Sequence, residues 1–102
     1  MKTEFAKGQK VLLTVLPWKH QDPATHDVKL TKKIFDRNFQ GLAFEEEVVS
    51  TKDFGGTQTV NFVQTKTNRC PFIMMHQGSW AGIVKPKKGG QHVLRVTVEI
   101  LK

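Results

Sequence analysis

The side chains that carry chemistry are few in this chain, and their spacing does not suit catalysis. Its four histidines, His20, His26, His76 and His92, form no HxH or HExxH pattern, so no local pair of metal ligands is encoded. Cys70, the single cysteine, precedes Pro71 at the start of an apolar run. A thiol there reads as buried and structural, because a nucleophile needs a positioned base and an electropositive setting. The consecutive Glu45, Glu46 and Glu47 read as a solvated strand edge rather than an acid/base pair. No phosphate-binding glycine loop and no dinucleotide fingerprint is present. The expectation is a protein that is not an enzyme and needs no metal and no cofactor. Binding chemistry is better represented. Gly55 and Gly56 form a turn that feeds the alternating stretch Thr57–Phe62, and Trp80 stands between Gly78-Ser79 and Ala81-Gly82. Paired glycines admit positive φ and let a partner approach the backbone. Trp is the residue type most enriched at binding hot spots.

The elements that must position these residues have a period of two rather than 3.6. Gln9 to Leu16 reads as a strand ended by Pro17, which cannot donate to a ladder. Trp18 to Asp27 is polar, with the turn dipeptide Asp22-Pro23. At about ten residues, this loop is long for a hairpin connection. Trp18 reads as a cap over the end of the core. Val28 and Leu30 alternate with Lys29 and Thr31, so a second strand is expected there; Ile34, Phe35 and Phe39 either continue it or sit on a short helical turn. Further strands are expected at Ala43 to Ser50, Thr57 to Thr65 and Cys70 to His76, with turns at 52–56 and 67–69. The run holding Phe72, Ile73, Met74 and Met75 is apolar at consecutive positions, as a central strand would be. Gln77 to Gly90 reads as a second long polar loop carrying Trp80. The last strand is the clearest: Leu94, Val96, Val98 and Ile100 face in, and Arg95, Thr97 and Glu99 face out.

A chain of 102 residues holds one domain, spanning 1–102. About six or seven short strands without an amphipathic helix indicate an all-β, immunoglobulin-like β-sandwich, with a small barrel as the runner-up. The net charge of +7 favours anionic partners. The basic groups Lys29, Lys32, Lys33 and Arg37, then Lys85, Lys87 and Lys88, are not interleaved with aromatics as a base-stacking platform would be, and the absence of Tyr counts against a single-strand nucleic-acid binder. One cysteine excludes an internal disulfide and leans towards a reducing, intracellular compartment. The N-terminal residues lack the apolar stretch of a signal peptide. No apolar run approaches the ~18 residues of a membrane span, so no membrane partner is expected.

The order of these segments resembles the chagasin family, small immunoglobulin-like inhibitors of papain-type cysteine peptidases. Gly55-Gly56-Thr57-Gln58-Thr59-Val60-Asn61-Phe62 is similar to that family's glycine loop and the strand after it. Lys7 to Pro17 is similar to its first strand, and Val96-Thr97-Val98-Glu99-Ile100 to its closing one. Asp22-Pro23-Ala24-Thr25-His26 stands where the family has an Asn-Pro-Thr-Thr-Gly loop, and Gly78-Ser79-Trp80 where it has Arg-Pro-Trp. The resemblance implies reversible, non-covalent occlusion of a peptidase cleft. Asp22, Pro23, Ala24, Thr25 and His26 would cover the catalytic pair. Phe54, Gly55 and Gly56 would offer backbone hydrogen bonds to one wall of the cleft. Gly78, Ser79 and Trp80 would pack on the other. The resemblance therefore implies a papain-family cysteine peptidase as partner. Two alternatives stand beside it. The charge fits a single-stranded nucleic-acid-binding β-barrel, and the fold alone fits a non-inhibitory immunoglobulin-like interaction module.

Overall fold

Each strand of this chain pairs with the next one along it, and the last returns to the first. The computed structural model describes residues 5–21, 29–76, 78–87 and 89–101. The strands are β1 (Lys10–Val15), β2 (Ala43–Phe54), β3 (Thr57–Phe62), β4 (Phe72–His76), β5 (Ser79–Val84) and β6 (His92–Ile100). A 3-10 turn at Trp18–His20 and one helix, α1 (Lys32–Asn38), lie between β1 and β2. All pairs are antiparallel. The β1–β6 seam sets Val11 opposite Ile100 and Val15 opposite Val96, which closes a barrel in sequential order.

The all-β expectation holds, while the arrangement of the strands is corrected. Two packed sheets with an immunoglobulin-like topology were expected; the strands close into the barrel held as runner-up. Alternation fixes which residues face inwards but does not say whether they face a second sheet or the far wall of a barrel. Two strand assignments also change. Leu30 is buried in the segment leading into α1, so no second strand runs through it, and Val28 lies outside the described residues. The expected polar loop 77–90 contains β5. The sequence carries little sign of that strand, because Gly78, Ser79, Ala81 and Gly82 supply almost no side-chain pattern. β2 also runs on to Phe54, so the turn is confined to Gly55-Gly56 at φ 54° and 88°.

Val11, Leu13, Val60, Phe62, Ile73 and Leu94 are among the side chains that fill the barrel. Between Val48 and Ser50 the β2–β3 register shifts, and Val49 is turned outwards at 39% exposure. Such a bulge adds local bend and twist, which a small closed sheet requires. The sequential order puts the β1–β2, β3–β4 and β5–β6 connections at one end, here the upper end. The β2–β3 and β4–β5 turns are at the lower end.

Helix α1 plugs the upper end. Thr31 caps it, its Oγ1 accepting from the Ile34 N–H at 3.2 Å, and Lys32 pairs with Asp36 one turn on at 2.6 Å. Seven residues are too few for a helix to hold itself in water. It is held by Phe35 and Phe39, which are 1% and 0% exposed and contribute about 1.5–3 kcal/mol each by burial. Trp18 caps this end as expected, its ring 5.5 Å from that of Phe35. The Gln21 amide anchors the turn to the barrel: Nε2 donates to the Leu16 and Arg95 carbonyls at 2.9 and 3.1 Å, and Oε1 accepts from the Arg95 N–H at 2.7 Å.

Gly82 is an inward position left empty because its neighbours fill it. A Cβ there would lie 2.7 Å from the Phe72 carbonyl oxygen and 2.9 Å from Cys70 Sγ. Gly82→Ala is expected to destabilise the fold by about 1–3 kcal/mol through overpacking, read as a lower urea midpoint. Gly90→Ala, which meets open space, should stay within about 0.5 kcal/mol of the parent.

Candidate functional site

Of the residues expected to form one binding edge, the described ones gather at the lower end. Gly55 and Gly56 form the β2–β3 turn at the lower end, with the Gly56 N–H donating to Asp53 Oδ1 at 3.1 Å. Gly78 precedes β5 at the same end, at φ 79°. Ser79 and Trp80 belong to β5 itself. Trp80 was expected on a loop; it packs half-buried against the core, in an edge-to-face contact with Phe5 at 5.8 Å. Asp22, Pro23, Ala24, Thr25 and His26 lie outside the described residues. The connection that carries them leaves β1 and enters β2 at the upper end. Phe54 ends β2.

The upper end gathers positive charge from three separate elements. Arg37 comes from the last turn of α1, Arg69 from the β3–β4 connection and Lys87 from the β5–β6 connection. With Asn38 and Leu42 they line a cleft of about 330 Å³. A backbone bond joins the two connections: the Lys85 N–H donates to the Arg69 carbonyl at 2.8 Å. Gly89 approaches the helix closely, since a Cβ on it would sit 3.6 Å from Asn38 Nδ2. Neither Arg37 nor Lys87 has a carboxylate partner among the described residues. Guanidinium forks and an ammonium around one cleft are suited to phosphate oxygens, which accept bidentate, charge-assisted hydrogen bonds.

Arg69 is held in place by a buried carboxylate. Of the three consecutive glutamates, Glu46 is the one whose side chain is turned inwards, at 8% exposure. Its Oε2 accepts from the Arg69 backbone N–H at 3.0 Å, and its Oε1 accepts from Asn68 Nδ2 at 2.6 Å. The same amide lies 3.0 Å from the Cys70 carbonyl and 3.2 Å from that of Val63. The expectation that Glu45, Glu46 and Glu47 are all solvated is therefore corrected for the middle one. Alternation along β2 was the available signal, because a strand cannot point three successive residues the same way. Burial pushes the Glu46 carboxyl above its ordinary 4.5. The bonds from Arg69 and Asn68 and the Arg69 charge oppose that shift without cancelling it.

The remaining chemical groups are dispersed. The Cys70 thiol is pushed up to about 12, first by burial and then by the nearby Glu46 charge. It donates to the Phe72 carbonyl at 3.2 Å. His20 lies in the 3-10 turn, and His92 packs edge-on against Phe39 at 5.8 Å. His76 ends β4, and His26 is outside the described residues. Among the described residues, no group of three His, Cys, Asp or Glu is arranged to hold a metal ion.

The raised Glu46 value has a pH signature. Below about 4.5 the carboxyl is protonated in the folded and unfolded chains alike, and its stabilising contribution is complete. That contribution is lost as pH rises through the folded value, because burial disfavours the charged form. The stability of the parent relative to Glu46→Gln should therefore be greatest near pH 4 and decline towards pH 7. Urea unfolding of both proteins across that range tests this, and a flat or rising difference would contradict it.

The chain matches no protein-family model, no curated protein and no solved structure.

Proposed function

We propose that this barrel binds nucleic acid, with the phosphate backbone seated on its upper end. The observation that carries the reading is the convergence of Arg37, Arg69 and Lys87 on one cleft from three parts of the chain. A +7 protein of this size attracts polyanions at long range. A cleft that gathers cations from separate elements converts that attraction into a defined contact. Asn38 adds an uncharged amide to the same cleft.

A second proposal follows from the resemblance to the chagasin family, namely reversible occlusion of a papain-type peptidase cleft. It is supported by the shared lower end of Gly55-Gly56 and Gly78-Ser79. The family mechanism also needs 22–26 at that end and an immunoglobulin-like frame to hold all three loops. Here 22–26 lie outside the described residues and the strands close into a barrel, so the nucleic-acid reading ranks first.

Fluorescence anisotropy with labelled oligonucleotides separates the two readings. The association constant should fall linearly on a log–log plot against salt, by about 0.7 per neutralised phosphate for a single strand. Arg37→Ala, Arg69→Ala and Lys87→Ala should each weaken binding of every sequence and reduce the single-strand salt slope by about 0.7. Absence of oligonucleotide binding at low salt, together with competitive inhibition of papain, would replace the first proposal with the second.

A further inference from the structure

We infer that the outer wall of β2, β3 and β4 stacks unpaired bases, so that the nucleic acid is single-stranded; this rests on the nucleic-acid reading above. The outward positions of these strands form two cross-strand rows. Lys52, Thr59 and Met74 make one, and Ser50, Asn61 and Phe72 the other. Lys52, Thr59, Asn61, Phe72 and Met74 line a shallow cleft of about 340 Å³. Among the polar residues of this wall, Phe72 and Met74 add apolar surface. Met74 is 38% exposed and Phe72 is half-buried.

The charge around this patch points to its occupant. Lys52 lies in the Met74 row, and Arg69 of the phosphate cleft stands three residues before Phe72. A strand seated on the upper end would thus pass over the rim at Arg69 and down the wall past Phe72 and Met74 towards Lys52. Glu45 and Glu47 lie on β2 on the other side of its bulge, beside β1, with Glu47 opposite Lys10. They bound the path on that side. Asn61, whose Nδ2 donates to Ser50 Oγ at 3.3 Å, gives the wall a polar group beside the ring. Aromatic faces flanked by cations suit bases with open π-faces, and a duplex hides those faces in its own stack.

The test compares a labelled oligothymidylate, the corresponding duplex and heparin, which is anionic and has no bases. Phe72→Ala is expected to weaken the single strand roughly tenfold with an unchanged salt slope, and to leave heparin binding as in the parent. Phe72→Trp should restore the single-strand affinity. Lys52→Glu, at an exposed position, should weaken the oligothymidylate as well. It decides the matter if Phe72→Ala does not fold. Unchanged oligothymidylate binding by Phe72→Ala, or by Lys52→Glu in that event, overturns the inference while loss of binding in Arg69→Ala keeps the basic-end reading. A parent protein that binds neither oligonucleotide nor heparin overturns both. Parental dimers that Phe72→Ala disperses, with oligothymidylate affinity unchanged, would assign the wall to a second copy and also overturn the inference.

Discussion

Closure of β1 on β6 is the constraint from which the rest of this structure follows. Once Val11 lies opposite Ile100, every strand has two partner strands. The interior volume is then fixed. Six strands enclose room for side chains and little else, so the space taken by Cys70 and Ile73 is balanced by an empty position at Gly82. Closure also leaves a mouth at each end that the strands cannot seal. The upper one takes Phe35 and Phe39 from a helix too short to exist alone, and the lower one takes Trp80 against Phe5.

The upper end unites a structural role and a binding role in the same residues. The helix is present because its apolar face seals the barrel, and its other face then carries Arg37 and Asn38 to the rim. The connection before β4 is fixed by Glu46, a carboxylate taken out of water to accept from the Arg69 N–H and the Asn68 amide. Burying it is costly, as its raised pKa records. The return is an Arg69 whose main chain is bonded on both sides, to Glu46 and to Lys85. A cation on such a frame meets an anion with less ordering left to do than one on a free loop.

The sequence was most legible where alternation is uninterrupted. β1 shows its inward and outward residues plainly, and so does β6 except at Arg95, which was expected to face solvent and is only 8% exposed; Trp18 was readable as a cap. β5 was hidden because its inward side at Gly82 has no side chain and its outward side begins with serine and alanine. Sandwich and barrel were indistinguishable, since both need the same two-faced strands. The candidate site was mostly illegible. Its cations, Arg37, Arg69 and Lys87, are far apart along the chain and meet only when three connections share an end. The aromatic and basic residues of the outer wall are interleaved across the ladder and not along the sequence, as the pairing of Thr59 with both Lys52 and Met74 illustrates. Phe72 and Met74 were visible as an apolar run, but their exposure depends on the sheet having water on its outer side.

The seam also bears on how the chain reaches this state. It joins residues from the two extremes of the sequence, whereas every other pairing joins consecutive strands. Loop-closure entropy makes such a contact late and slow relative to hairpin formation. Until it forms, β1 and β6 are bare edges lined with valine, leucine and isoleucine, the kind of template on which chains join one another. Folding speed at the seam therefore sets how long a newly made chain stays vulnerable to aggregation, a kinetic liability that the finished barrel no longer displays.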